Sequence, residues 1–157
     1  MNDQILIEKA KESLKDKVLE ITNPAPRRLF MKVAVGNLLE AVNWLKKEMG
    51  FSHLSTISGV DLAQSYEILY HFANNFCCLT IRTEISRENP LLPSLCQLIP
   101  GAILYERELQ EMFGITVQNI PDPRPLLLPD NWPAGNYPLR KDWKYERPAE
   151  VIPGGKK

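Results

Sequence analysis

His53-Leu-Ser-Thr-Ile-Ser-Gly-Val60, Tyr66-Glu-Ile-Leu-Tyr-His-Phe72 and Phe76-Cys-Cys-Leu-Thr-Ile-Arg-Thr83 follow one another with barely a gap. Each run is rich in β-branched and aromatic residues, the composition that fits a pleated, half-buried surface. Only short polar pieces separate them, Ala63-Gln64-Ser65 and Ala73-Asn74-Asn75. Parallel neighbours need a crossover of a dozen or more residues, so these connections dictate antiparallel pairing. Asn also tolerates the positive φ that tight hairpin loops demand. Upstream, Leu29, Met31, Val33 and Val35 alternate with Phe30, Lys32 and Ala34, which predicts a fourth strand.

Helical signals flank these strands. Ile7, Ala10, Leu14, Val18 and Ile21 recur at three- and four-residue steps and predict an amphipathic helix over 3–20, ended by Asn23-Pro-Ala-Pro26. A second helix starts at Asn37 as N-cap, with Glu40 placed to reach back and Gly50 just past the last periodic residue. Asn89-Pro90-Leu-Leu-Pro93-Ser94 reads as a turn into a short helix at 94–98. A further helix runs from Ala102 to Phe113 and is closed by Gly114. The expectation is an α+β fold over 1–114, a two-layer domain whose mostly antiparallel four-stranded sheet is packed by helices.

The remainder, 115–157, is different in kind. Eight of the 13 prolines fall between Pro121 and Pro153. Pro121-Asp-Pro-Arg-Pro125-Leu-Leu-Leu-Pro-Asp130-Asn-Trp132-Pro holds apolar residues apart with prolines. Such a stretch stays extended at low entropic cost, which suits an arm laid along a partner. Tyr137-Pro-Leu-Arg-Lys-Asp-Trp143 then sets cations and an acid between two aromatics.

Composition removes several function classes. The 157 residues carry 19 Lys+Arg against 19 Asp+Glu, so neither nucleic acid nor an anionic membrane is an expected partner. No apolar run approaches the roughly 20 residues needed to span a bilayer. Met1-Asn-Asp-Gln leads into a charged pattern, and no secretory leader is expected. Three cysteines, Cys77, Cys78 and Cys96, form no C-x-x-C, and iron–sulfur ligation normally takes four thiolates. Cys77 and Cys78 point to opposite faces of a strand and cannot chelate together. His53 and His71 have no partner at metal-ligand spacing and read as packing or surface residues. Asp61, after Gly59-Val60, reads as a hairpin residue.

The densest polar cluster is Tyr105-Glu-Arg-Glu-Leu-Gln-Glu-Met-Phe-Gly114. Tyr105, Leu109, Met112 and Phe113 share one face, and Arg107, Glu108 and Glu111 the other. Arg107 lies one turn before Glu111, at ion-pairing distance along a helix. Either the cluster is structural and anchors the segment that follows, or Glu108 or Glu111 acts as a general base.

With Glu106-Arg107-Glu108-Leu-Gln-Glu-Met-Phe113-Gly114-Ile115, Pro121-Asp122, Arg124, Leu126-Leu-Leu-Pro-Asp130, Trp132 and Pro138-Leu-Arg140-Lys141-Asp142 in order, the chain resembles the 30-kDa subunit family of respiratory complex I. That family also occurs in related membrane-bound [NiFe] hydrogenases. Ser58-Gly-Val-Asp61, Tyr70-His71 and Asn89-Pro-Leu-Leu-Pro93-Ser94 fit it too.

The resemblance implies a structural subunit of the peripheral arm of a membrane-bound, ion-translocating redox complex. It would carry no catalytic, cofactor or metal residue of its own. Iron–sulfur clusters, and NiFe in the hydrogenase branch, would sit in its partners, a large hydrogenase-like subunit and a small iron–sulfur subunit. Membrane contact would be indirect, on the cytoplasmic face. Implied interface and structural positions are Glu106, Arg107, Glu108, Glu111, Phe113, Gly114, Arg124, Leu126, Leu127, Leu128, Trp132, Arg140, Lys141 and Asp142. Three departures stand out: Glu111 for the usual Asp, Asn119-Ile120-Pro121-Asp122 where many respiratory members have Gly-His-Pro-Asp, and Pro125 for a second arginine. The missing histidine leans towards a hydrogenase-type or related complex over a quinone-reducing NADH dehydrogenase. A stand-alone enzyme and an adaptor for proline-recognition domains are the rivals from other classes.

Overall fold

The computed structural model describes residues 3–144. Its central sheet has five strands in the order β1-β2-β5-β4-β3: β1 Val18–Ala25, β2 Arg28–Val33, β3 His53–Asp61, β4 Ser65–Ala73 and β5 Cys78–Ser86. All neighbours are antiparallel except β2 and β5. The three runs that decide the fold therefore pair as the loop lengths require. In this sheet parallel pairing arises only between β2 and β5, whose connection contains a helix, α2 (Leu38–Met49).

The sheet has one strand more than the sequence predicts. The first helix, α1, spans Asp3–Leu14 and does not continue to 20. Lys15 turns to φ 48°, and the chain re-emerges as β1. Val18, Ile21 and Thr22 are β-branched and tolerate a strand better than a fourth helical turn. Pro26 and Arg27, the latter at φ 63°, then make a two-residue hairpin into β2. As one of the two edge strands, β1 is mostly exposed, Leu19 by 61%. Its pairing slips register twice, between Val18 and Glu20 and between Thr22 and Ala25.

Other local devices differ from expectation. Gly50 closes α2 at φ 71°, as its position predicts. Asn37 makes no side-chain cap, and Glu40 instead meets Lys17 at 2.5 Å. In the β4–β5 turn Asn74 works through its side chain, whose Oδ1 accepts from the Phe76 and Cys77 N–H groups at 2.9 and 3.0 Å. Residues 94–98 form a turn, not a helix. Leu91–Pro93 (β6) instead pairs in parallel with Thr116–Gln118 (β7) in a second, two-stranded sheet. Between them stands α3, Ile103–Phe113.

Alternation along β4 sends Tyr66, Ile68, Tyr70 and Phe72 into the core, with Leu29, Met31, Leu79 and Ile81 beside them. Leu6, Leu38 and Leu45 from the helices complete it. Each large side chain buried in this way is worth about 1.5–3 kcal/mol. The opposite face carries ions: Lys32–Glu84 at 3.0 Å and Arg82–Glu67 at 2.6 Å. His71 stands there between Ser58 Oγ (3.3 Å) and Thr80 Oγ1 (3.0 Å), and its desolvation lowers its pKa.

Candidate functional site

Helix α3 presents two chemically distinct faces. Glu106, Leu109 and Phe113 form its buried stripe. The apolar face drawn from sequence gains a carboxyl, since Glu106 lies within it while Tyr105 and Met112 pack against the core only partly buried. Glu106 is fully buried, and three donors satisfy it: Ser94 O–H at 2.7 Å, Leu95 N–H at 2.6 Å and Cys96 S–H at 3.3 Å. The carboxyl therefore nails the 94–96 turn to α3. Close by, burial and the Glu106 charge push the Tyr70 hydroxyl well above its usual range.

The other face grips the chain that follows β7. Arg107 donates Nε to the Arg124 carbonyl and Nη2 to the Pro125 carbonyl, both at 2.6 Å, and Nη1 lies 3.5 Å from Asp122. Glu111 accepts from the Leu127 N–H at 2.7 Å and the Leu128 N–H at 3.4 Å. The expected Arg107–Glu111 pair is not made. One residue takes the arm's carbonyls and the other its N–H groups, as an extended segment without internal backbone pairing requires. Glu108 has no hydrogen-bond or ion-pair partner among the described residues. Arg124 chelates Asp122 at 2.8 and 2.7 Å, and that pairing holds the Asp122 carboxyl far below the carboxylate range.

A second clamp lies at the end of the β3–β4 hairpin. Asp61 is 3% exposed and accepts from Arg87 Nη1 with both oxygens at 2.7 Å, from the Ala63 N–H at 2.8 Å and from the Lys141 N–H at 2.9 Å. Burial alone would raise its pKa. The hydrogen bonds from Lys141, Ala63 and Arg87, with the Arg87 charge, outweigh that and lower it. Arg87 reaches on to Asp142 at 2.6 Å. Arg140 donates to the Phe113 carbonyl at 2.7 Å and stacks over Tyr137, 4.1 Å from the ring centroid. Gly114, at φ 69°, leaves the space that Arg140 and Tyr137 fill: a Cβ there would lie 2.5 Å from each. Phe113 meets Tyr66 edge-on at 5.8 Å.

The resemblance implies structural or interface roles for Arg107, Glu111, Phe113, Gly114, Arg140, Lys141 and Asp142, and each of them lies at a contact between the domain and the arm. It misses Asp61 as a fastener and Arg87 altogether. The signal for Asp61 is the Ser58-Gly-Val-Asp61 motif. Arg87 has no pattern of its own, and its role exists only once the hairpin and arm converge. Leu126, Leu127 and Leu139 remain 36%, 56% and 51% exposed, while Leu128 and Trp132 are half-buried. Among the described residues no group of three or more His, Cys, Asp or Glu could hold a metal ion, and no helix is long and apolar enough to cross a membrane.

The α+β domain thus fastens its own proline-rich arm through α3 and the β3–β4 hairpin. Residues 31–149 match the respiratory-chain NADH dehydrogenase 30 Kd subunit, and the chain belongs to that family. It is 32% identical to a subunit of the F(420)H(2) dehydrogenase of Methanosarcina mazei, over 92% of this chain and 93% of that one. It is 36% identical to formate hydrogenlyase subunit 5 of Escherichia coli over 73% of this chain, yet spans only 21% of that longer protein. The fold is shared with a chain of the membrane-bound sulfane sulfur reductase, an archaeal respiratory membrane complex, at a TM-score of 0.80 and 22% identity, covering 90% of this chain and 85% of that one.

Proposed function

We propose that this chain is a docking and assembly subunit of a membrane-bound, ion-translocating redox complex. It performs no chemistry and holds no cofactor. The observation that carries this reading is the double clamp. Arg107, Glu111, Asp61 and Arg87 spend buried or half-buried charges on fixing an arm whose leucines face outward. The described part of the arm, 115–144, then presents Leu126, Leu127, Leu128 and Trp132 to the large hydrogenase-like subunit and the small iron–sulfur subunit at the cytoplasmic face; residues 145–157 of the arm lie outside the described residues. Electron transfer between those partners is supported by their being held in register. Exposed apolar side chains on a pre-ordered segment bind at a reduced entropic cost.

Within the family, the reading favours a hydrogenase-type or related complex. Support comes from Asn119-Ile120-Pro121-Asp122, which lacks the histidine of many respiratory members, and from near end-to-end agreement with the F(420)H(2) dehydrogenase relative. A quinone-reducing NADH dehydrogenase is the second reading, supported by the family description itself.

The test is co-expression with the neighbouring subunits. Tagged wild-type chain is expected to recover the large and small subunits together. Leu126→Asp with Leu127→Asp is expected to lose them while the chain stays folded. Recovery unchanged in that variant, or autonomous turnover that vanishes in Glu108→Gln, would sink the reading.

A further inference from the structure

Beyond Glu111 the arm curls on itself around an open hollow of about 300 Å3. Pro125, Leu128, Pro129 and Trp132 give it apolar walls, and Glu111 and Asp130 are the ionisable groups other than Tyr137 that line it. No lysine, arginine or histidine does. Neither carboxylate has an ion-pair partner among the described residues. Glu111 is held still by the two arm N–H groups, which leave its negative charge without a counter-cation. The Trp132 ring is fixed as well, since its Nε1–H donates to the Asn136 carbonyl at 2.8 Å and Trp143 lies 6.1 Å away.

We propose that this hollow receives an arginine side chain projecting from a partner subunit, its guanidinium over the Trp132 face and towards Asp130 and Glu111. The proposal rests on the docking reading above and names the chemistry of one contact within it. An apolar wall with two acids and no cation is complementary to a long aliphatic stem that ends in positive charge. Arginine suits it better than lysine. Its planar group stacks on an indole and pairs with carboxylates in a fork, and it is more weakly hydrated than an ammonium.

The test uses the tagged chain co-expressed with the large and small subunits of its complex. Asp130→Lys is expected to lower recovery of the large subunit at least tenfold. Asp130→Asn should lower it about threefold and flatten its dependence on salt. Asp16→Lys, at another exposed acid far away in sequence, should change nothing. A photoreactive residue at Ala134, on the wall of the hollow, should cross-link to a partner peptide that contains arginine. Wild-type recovery and salt dependence in both Asp130 variants overturn the proposal, as does a cross-linked peptide without arginine or one from this chain itself. Arg107→Ala separates the two ideas. If it releases the large subunit while Asp130→Lys does not, the arm docks but the hollow receives no cation. If it too leaves the partner bound, the docking reading fails.

Discussion

One guanidinium nitrogen of Arg87 bridges both carboxylate oxygens of Asp61 at 2.7 Å, and the acid it holds is 3% exposed. Through this pair the end of the β3–β4 hairpin, the strand exit at Arg87 and the arm at Lys141–Asp142 share one charge network. Removing Arg87 would leave a buried acid with two backbone donors and no cation. Arg87→Met is expected to destabilise the chain by about 2–3 kcal/mol, below the full cost of orphaning a buried charge because Ala63 and Lys141 still donate. Urea denaturation of Arg87→Met, and of Arg87→Met with Asp61→Asn, checks this. The double variant should recover part of the loss, and a loss equal to the sum of those of Arg87→Met and Asp61→Asn alone would show that the pair is not coupled.

Acid should loosen the same clamp, and only strong acid. The folded pKa of Asp61 is depressed below its ordinary 3.8. Its contribution is therefore complete above the unfolded value and fades as pH falls through the lower, folded one. Arg87, held by its bonds to Asp61, and Tyr66, raised by burial, are both shifted upward, further from this range. Arm attachment, followed by Trp132 and Trp143 fluorescence in a Trp44→Phe background, should be flat from pH 8 to 5 and change only below pH 3.8. A transition at pH 5–6, or one unchanged in Asp61→Asn, would assign it to another group.

Gly114 is the point where α3, Tyr137 and Arg140 come closest. Gly114→Ala must hold φ 69° and push both side chains away. The left-handed backbone costs an alanine about 1–2 kcal/mol. The displaced atoms are the far ends of flexible side chains, so the arm should lift while the domain stays folded. Limited proteolysis should cut Leu126–Leu139 several-fold faster than in wild type, with little change in far-UV circular dichroism. Unchanged cutting would mean that Arg140 and Tyr137 do not anchor the arm.

Glu106 gives the complementary case inside the domain. Glu106→Ala strips acceptors from the Ser94 hydroxyl and the Leu95 N–H, and charged hydrogen bonds are worth about 1.5–3 kcal/mol each. A loss of about 3 kcal/mol or more is expected by chemical denaturation. Glu106→Gln keeps one acceptor oxygen and should lose about half as much. Equal losses in the two would point to packing and not to hydrogen bonding.

The α+β class and the pairing of β3, β4 and β5 were legible because loop length restricts the topology. β1 was not. Val18 and Ile21 fit a helical step and a strand equally well, and what decided was the reversal at Lys15, which no residue preference announces. The short β6–β7 pair was hidden for a different reason, since its two partners are separated in sequence by the whole of α3. At the site, the sequence grouped Arg107 with Glu111 because they lie one turn apart. Their partners are backbone groups of the arm, and backbone groups leave no mark in residue identity. Asp61 and Arg87 are joined only by the tertiary fold.

The β1 edge of the sheet bears on how copies of the chain meet one another. A regular open edge is a template on which any further strand can add, including that of a second copy. The two register slips in β1 distort the row of free N–H and C=O groups that such addition would need, and Pro24 has no N–H to offer. A chain that exposes Leu126 and Leu127 already carries sticky surface. Its blunted edge denies those encounters a continuous ladder on which to grow.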